Sequence, residues 1–597
     1  MSMHPAPWPE PDPQVAAMIE AKFPGRKQPP LAVTIRRRLG EWLADEDFAV
    51  AFGVRGRSGW SPSRLALVTV LQMAENLTDR GAAEAVGKDL AWQYALGLAA
   101  GEEGFDHTVL SEFRARVAGH GLESVVLDRL LERLAAAGLV AAGGRQRTDS
   151  THVIAAVAAL NRLELIGESV RALLEALAAA HPDWLGQRIC LPDFSRRYGT
   201  PMTSWRPPVS AARRKELAIA YARDGYALLE AVYDPAAPPW LREIPAANTL
   251  RLVLLHNYTR AIDSRGREMI RRREAGPDGD GLPPGHLRIA SPYDLDARWG
   301  VKREEAWMGY KLHITETCDD APACTCHDAP AAPPPAPGQD EHRTQGHEKG
   351  CERLCHPNLI THVATTDATV GDAAMTTPVN QALAARNLAP GRHYMDSGYL
   401  SADLVVAAAR AHGITLVGPL LADTSAQARA GHGYARADFL IDYDTQTVTC
   451  PQGRTSSSWT PCARGGKNTI VAKFSAGDCT VCPALPQCTT STRRRRQLTL
   501  LPRELHEAQA AARAAEGSTS WQADYARRAG IEGTIRQATA TCGSRRARYR
   551  GLARTRLEHT YSAAALNLLR LEAYWNSRPL DRGRTSHLAR LSLGLAA

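Results

Sequence analysis

The sequence lacks any uninterrupted apolar run approaching eighteen residues, which excludes the ordinary signal of a membrane-spanning helix. It has no internal repeat, and so no sign of a solenoid or propeller. The opening stretch, MSMHPAPWPEPDPQ, is proline-rich and acidic, with neither a basic n-region nor an apolar h-region, so no secretory leader is expected. These absences predict a cytoplasmic protein with no membrane partner.

What is present is a long and mildly basic chain. Its 597 residues exceed what one core usually organises, which predicts two to four domains. Lys and Arg total 72 against 63 Asp and Glu, a net charge of +9, and an excess of that size favours polyanions only where it is clustered. In a reducing compartment the twelve cysteines do not read as disulfides; they are clustered, which points to metal ligation.

Residues 1–140 read as a helical domain, with apolar positions at three- and four-residue spacing and Ser61-Pro62 as N-cap and N1 of one helix. Another capped helix is expected from Asp106. Such a domain serves packing, dimerisation or DNA binding. Residues 141–153 predict a strand, and 154–290 a helical insertion ending in an exposed, mobile Gly/Pro/Arg-rich connector, DSRGREMIRRREAGPDGDGLPPG. From 291 to 420 strand-like segments (GYKLHITETC, LITHVATTDATVGD, HYMDSGYL, ITLVGPL) alternate with helical ones, implying an α/β sheet with parallel members. Residues 421–520 read as a β-rich insertion, and 521–597 as helices, the last of which should cover the sheet. A Pro-rich stretch with its own Cys/His cluster, 324–356, interrupts the first two strands of the core.

Three acids stand out. Asp149 in GRQRTDSTHV precedes an apolar turn of the chain, Asp396 in HYMDSGYL follows a short strand, and Glu532 lies in YARRAGIEGTIRQ. Acids at strand ends of an open α/β sheet sit where ligands bind. Two on strands and one on a covering helix suit a pair of divalent metals, Mg²⁺ or Mn²⁺, used in phosphoryl transfer. Tyr525, Arg528 and Glu532 follow steps of three and four residues, which would place them on one face of a helix where Tyr and Arg can hold a phosphate. Asp367 and Asp372 compete for the second position; Asp396 is preferred because it follows its strand directly, and Asp372 reads as a helix cap.

The set RTDSTHV, HYMDSGY and YARRAGIEGTIRQ resembles the DDE transposases of bacterial insertion sequences, in the branch with a Y-x2-R-x3-E signature. LALVTVLQMAENLTDRGAAEAV through FDHTVLSEFRAR is similar to the helical domain preceding the core in that family, and DARWGVKREEAWMGYKLHITETCD to the strand entering it. The resemblance spans about residues 60–580. It implies an α/β fold: an RNase H-like mixed sheet flanked by helices, with an N-terminal all-helical domain, a helical insertion and a β-rich zinc-containing insertion. It also implies Asp149, Asp396 and Glu532 as catalytic, metal-binding acids, with Tyr525 and Arg528 beside the DNA. The Lys that often follows seven positions after the Glu is here Thr539, so that role is lost or passes to Arg536, Arg545 or Arg546.

Cys450, Cys479, Cys482 and Cys488 have the spacing of a structural Zn²⁺ site, with Cys462 as the alternative fourth ligand; the competing reading is thiols that merely pack. Two basic runs, RRRR at 493–496 and RRARYRGLARTR at 545–556, flank the Glu532 segment. The second contains Arg545, Arg546, Arg548 and Arg550 and no acid, as a DNA-phosphate track requires; a solvated face is the ordinary alternative.

The expected function is therefore two-metal strand cleavage and strand transfer by a nucleoid-associated homodimer on double-stranded DNA. Its substrates would be terminal inverted repeats and target DNA. The rivals are a metal-dependent nuclease of the same fold, and a domesticated, inactive zinc and DNA-binding protein.

Overall fold

The computed structural model describes residues 3–24, 28–56, 59–204, 208–276, 279–302, 304–318 and 357–576. The Cys/His cluster at 324–356 lies outside the described residues, as does the chain after 576.

Thirteen strands form among the described residues: β1 (Arg145–Ile154), β2 (Tyr258–Ile262), β3 (Glu268–Arg272), β4 (Arg298–Lys302), β5 (Glu305–Thr317), β6 (Ile360–Asp367), β7 (Arg392–Tyr394), β8 (Thr415–Val417), β9 (Leu440–Asp442), β10 (Thr447–Thr449), β11 (Ser458–Arg464), β12 (Lys467–Lys473) and β13 (Gln497–Leu500). Six make the main sheet, in the order β4-β5-β1-β7-β8 with β6 also on β5. β1 is antiparallel to β5 and parallel to β7, which is parallel to β8. The sheet is thus mixed, with the parallel members that the strand–helix alternation predicts.

β1 is the pivot. It is buried along most of its length, and its side chains alternate between two layers, as a strand's must. Arg147, Asp149 and Thr151 reach the C-terminal segment, bonding the Arg527 carbonyl, Arg528 and Arg545. Thr148 and Ser150 point the other way, to His393 and Asp372. Gly309 on β5 has φ +152°, and a Cβ there would run into the backbone of Val153 and Ala155. Only glycine lets β1 and β5 approach at that point.

Glu532's helix, Ile531–Thr541, is fixed from its inner side. Ile531, Thr534 and Ala538 are buried, and Thr534 donates to Glu316, which also accepts from Arg147 and Arg570. A fully buried carboxylate between two guanidiniums has its charge and its lone pairs both satisfied. Gly530 passes so close to the Arg147 guanidinium that a Cβ would collide with it.

The long helix Leu552–Trp575 is buried along much of its length. It covers the sheet as expected, and its Asn567 bonds both the N–H and the C=O of Ile360 on β6. The same helix packs against Pro62–Ala74, Thr108–Gly119 and Val125–Ala136. One apolar core therefore runs from the N-terminal helices through the sheet. Ser61 caps Pro62–Ala74 through Arg64 N, as the sequence predicts. Asp106 accepts from Thr108, although His107 holds the N-cap position of Thr108–Gly119 and makes no side-chain cap.

Residues 160–258 build a second apolar core of their own, around the helices Arg162–Ala180, Ala211–Tyr233 and Pro245–Asn257. The Arg-rich connector departs from expectation. Its first part is an ordered hairpin, β2–β3, paired from Tyr258↔Arg272 to Ile262↔Glu268 around Asp263-Ser-Arg-Gly266. Gly266 takes φ +75°, and Asp263 accepts from the N–H groups of Arg265 and Arg267. That turn chemistry outweighs the low strand propensity of charged residues. β9–β13 form the small β-rich region, with a core around Phe439, Val448 and Phe474.

Candidate active site

Asp149 leaves β1 beside the end of β7, after which the chain turns at Asp396. The Asp149 side chain is mostly buried, accepts from Ser150 N (2.7 Å) and from Arg528 Nη2 (2.7 Å). Burial pushes its pKa up; the Arg528 charge opposes this and the nearby Asp396 carboxylate adds to it. Asp396 accepts from Gly398 N at 2.9 Å, an Asx turn that fixes the carboxylate on the turn after β7. Glu532 stands in the first turn of its helix, largely exposed, with one oxygen 3.7 Å from Arg528 Nη1. One guanidinium thus links the first and third acids.

Tyr525, Arg528 and Glu532 do not share one continuous α-helix. Tyr525 ends the helix Thr519–Tyr525, Arg528 lies in a 3₁₀ turn, Ala526–Gly530, and Glu532 begins the next helix. The tighter turn lets the Arg527 carbonyl accept from Arg147 at 2.6 Å and still directs Arg528 at Asp149. Tyr525 is half-buried, stacked on Trp521 with ring centroids 4.9 Å apart. Burial raises its pKa, and the Asp396 and Asp149 charges add to the shift.

Asp372 was the residue that sequence reasoning placed elsewhere. It occupies the N-cap position of Ala373–Ala385 but makes no side-chain cap; its carboxylate accepts from Ser150 Oγ (3.2 Å) and Lys311 Nζ (3.3 Å). It also lies beside Gly398, next to Asp396. The buried Tyr399 sits among Asp372, Asp149 and Asp396, and its hydroxyl bonds His313 at 2.6 Å. Burial lowers the His313 pKa to about 4, so the ring is neutral at pH 7. The sequence offers Asp372 only as a rival second acid or a cap, and no spacing marks Lys311 or Tyr399, because these residues meet through tertiary packing. Asp367 is a turn residue, accepting from Thr369 N and Oγ1, and His152 packs on Trp307.

The basic run divides. Arg545 donates to Thr151 Oγ1 and the His152 carbonyl, and Arg548 to the carbonyls of Leu77 and Cys542 and to Asn76. Both hold the loop in place. Arg536, Arg546 and Arg550 are exposed, Arg550 above the Tyr293 ring. In the other run, Arg496 is buried against the Cys488 and Tyr434 carbonyls.

Cys450, Cys479, Cys482 and Cys488 line one cavity of about 30 Å³, while Cys462 is exposed on β11 and not part of it. The Arg454 N–H points at the Cys450 sulfur at 3.4 Å. Burial raises the Cys488 pKa, and the other three sulfurs add to the shift. Among the described residues no group of three or more His, Cys, Asp or Glu side chains is arranged to hold a metal ion, at the acids or at the cysteines. No helix among them is long and apolar enough to cross a membrane.

Residues 449–572 match the family described as Transposase DDE domain, and residues 19–116 match Transposase domain (DUF772). No curated protein and no solved structure matches the chain. The first match contains Glu532, Tyr525, Arg528 and all four cavity-lining cysteines; Asp149 and Asp396 precede it. DDE transposases act on DNA and generally use divalent metals. With one transposase-domain match in the N-terminal helices and another around Glu532, the two matches support an insertion-sequence DDE transposase.

Proposed function

We propose that this transposase cleaves DNA strands at the ends of its insertion sequence and joins the freed 3′-OH to target DNA, with Asp149, Asp396 and Glu532 as the catalytic acids. The observation that carries this reading is the Arg528 link: the segment bearing Glu532 is tied directly to Asp149, which in turn feels the charge of Asp396. The mixed sheet with the first acid on its central strand supports an RNase H-like core. The hard carboxylate oxygens of Asp149 and Asp396, joined by Glu532, suit Mg²⁺ or Mn²⁺, which when bound would activate the attacking oxygen and stabilise the leaving one. Glu532 must turn inward to join the other two acids, and Arg528 is the group holding it near them.

Arg536, Arg546 and Arg550 are the exposed cations placed to follow the phosphates of a double-stranded DNA end with its terminal inverted repeats, and a homodimer would pair two such ends. Alanine at Asp149, Asp396 or Glu532 is expected to abolish Mg²⁺-dependent strand cleavage while leaving end binding intact. Cleavage retained by any one of these variants removes that residue from the site.

The cysteine cavity supports a structural Zn²⁺ held by Cys450, Cys479, Cys482 and Cys488. Closing the four sulfurs on an ion would staple a region whose own core is small. The purified protein should carry about one zinc per chain by metal analysis, lost in Cys450→Ser and kept in Cys462→Ser. Equal zinc content in both variants would refute this ligand set.

A further inference from the structure

The helical insertion carries a basic cleft that neither the acids nor the cysteines account for. It is a cavity of about 900 Å³ between the start of Arg162–Ala180, the start of Ala211–Tyr233 and the outer end of β3, and Arg162, Arg214, Lys215, Arg272 and Arg273 line it against one acid, Glu274. The ordinary reading of such residues is a solvated face with its charges paired. That reading holds for the rest of the same hairpin: Arg260 pairs with Glu230 and Glu268, Arg267 with Asp263, and Arg271 with Asp280.

The cleft residues differ. Arg162 donates to the Arg273 carbonyl, Arg214 to that of Pro208, and Arg273 to those of Leu255 and Asp280. Among the described residues, none of the five forms an ion pair with a carboxylate. Burial lowers the Arg162 pKa, and the charges of Arg272 and Arg288 add to the shift. Five cations gathered around an open cleft against the single acid Glu274 leave a net positive field that a polyanion would complete.

We infer that this cleft binds the phosphate backbone of duplex DNA, as a second contact distinct from the exposed arginines around Glu532. A cavity of this size is much larger than a single phosphate. Arg162 is thirteen residues after Asp149, a separation of at most about 45 Å, little more than one turn of B-DNA at about 34 Å. A duplex somewhat longer than one turn is therefore long enough to span from the cleft to the acids. Tyr293 joins the two regions, bonding Glu168 of the insertion beneath the Arg550 guanidinium. The inference rests on the transposase reading for the identity of the polyanion.

The test measures binding of the full-length protein to a random-sequence DNA duplex without divalent metal, across a salt titration. Arg214, Lys215 and Arg272 are exposed, so the triple alanine variant leaves the core of the insertion untouched. Each lost phosphate contact removes about 0.9 from the slope of log affinity against log salt, so the variant should lose about 2–3 from that slope and about tenfold or more in affinity at low salt. Arg260→Ala, on the same hairpin but ion-paired, should match the wild type, and Lys at 214 and 272 should keep the slope. A triple variant that binds like a wild type competent in DNA binding overturns the cleft and leaves the transposase reading standing. So does a loss seen with an RNA duplex and not with DNA. Failure of the wild type to bind any DNA duplex would overturn both.

Discussion

At the scale of single residues, the buried acids show how the molecule spends stability. Glu558 on the long helix is fully buried; it accepts from Arg548 N at 2.8 Å, while its second oxygen has no partner. Burial pushes its pKa from 4.5 up to about 7. Between those values the folded chain keeps a proton that the unfolded chain has released. The contribution of this group is therefore full below pH 4.5 and is lost as the pH rises through 7, a difference of about 3 kcal/mol. Glu558→Gln keeps the acceptor and removes the charge. It should unfold at higher urea than the wild type at pH 8 and at nearly the same urea at pH 4.5; a gap that does not change with pH would contradict the assignment. Asp149 has the same sign, its carboxyl also raised by burial.

At the scale of elements, the site depends on how helices are fastened to the sheet. Asn567 supplies an acceptor and a donor to one residue of β6, Ile360, at a place where the β5–β6 register slips between Thr315 and Glu316. Asn567→Leu would leave a buried N–H and a buried C=O without partners, each costing about 1–3 kcal/mol. Denaturant unfolding should therefore show a loss of about 2–6 kcal/mol; a loss below that range would mean that water or a shifted strand replaces the amide. The broken helix before Glu532 carries the same lesson. Spacing predicted one helical face for Tyr525, Arg528 and Glu532, but a 3₁₀ turn at Ala526–Gly530 interrupts the helix where Arg147, from a strand far away in sequence, bonds the Arg527 carbonyl, which no local periodicity encodes.

At the scale of the whole molecule, the two largest apolar cores are separate. One joins the N-terminal helices, the main sheet and the long C-terminal helix, and the other lies within the insertion after β1. Cores that do not share side chains unfold with some independence. Calorimetry should resolve at least two transitions, and Leu250→Ala, buried in the insertion core, should lower only one of them. A single transition that moves as a unit would show that the connections couple the two cores fully.

The sequence by itself determined the element types along most of the chain, because alternation, helical spacing and caps are local properties of the chain; it marked Asp149, Asp396 and the segment around Glu532 as candidates, although Asp149 lies in the middle of β1 and not at its end. It also singled out the cysteine set. The tertiary structure decided what those residues meet. It turned Asp372 from a cap toward Ser150 and Lys311, committed Arg545 and Arg548 to holding the loop, favoured Cys450 over Cys462 at the thiol cavity, and folded the Arg-rich connector into the hairpin that lines the basic cleft. Each of these depends on partners far apart in sequence, brought together by strand pairing and helix packing, and a spacing rule cannot see them.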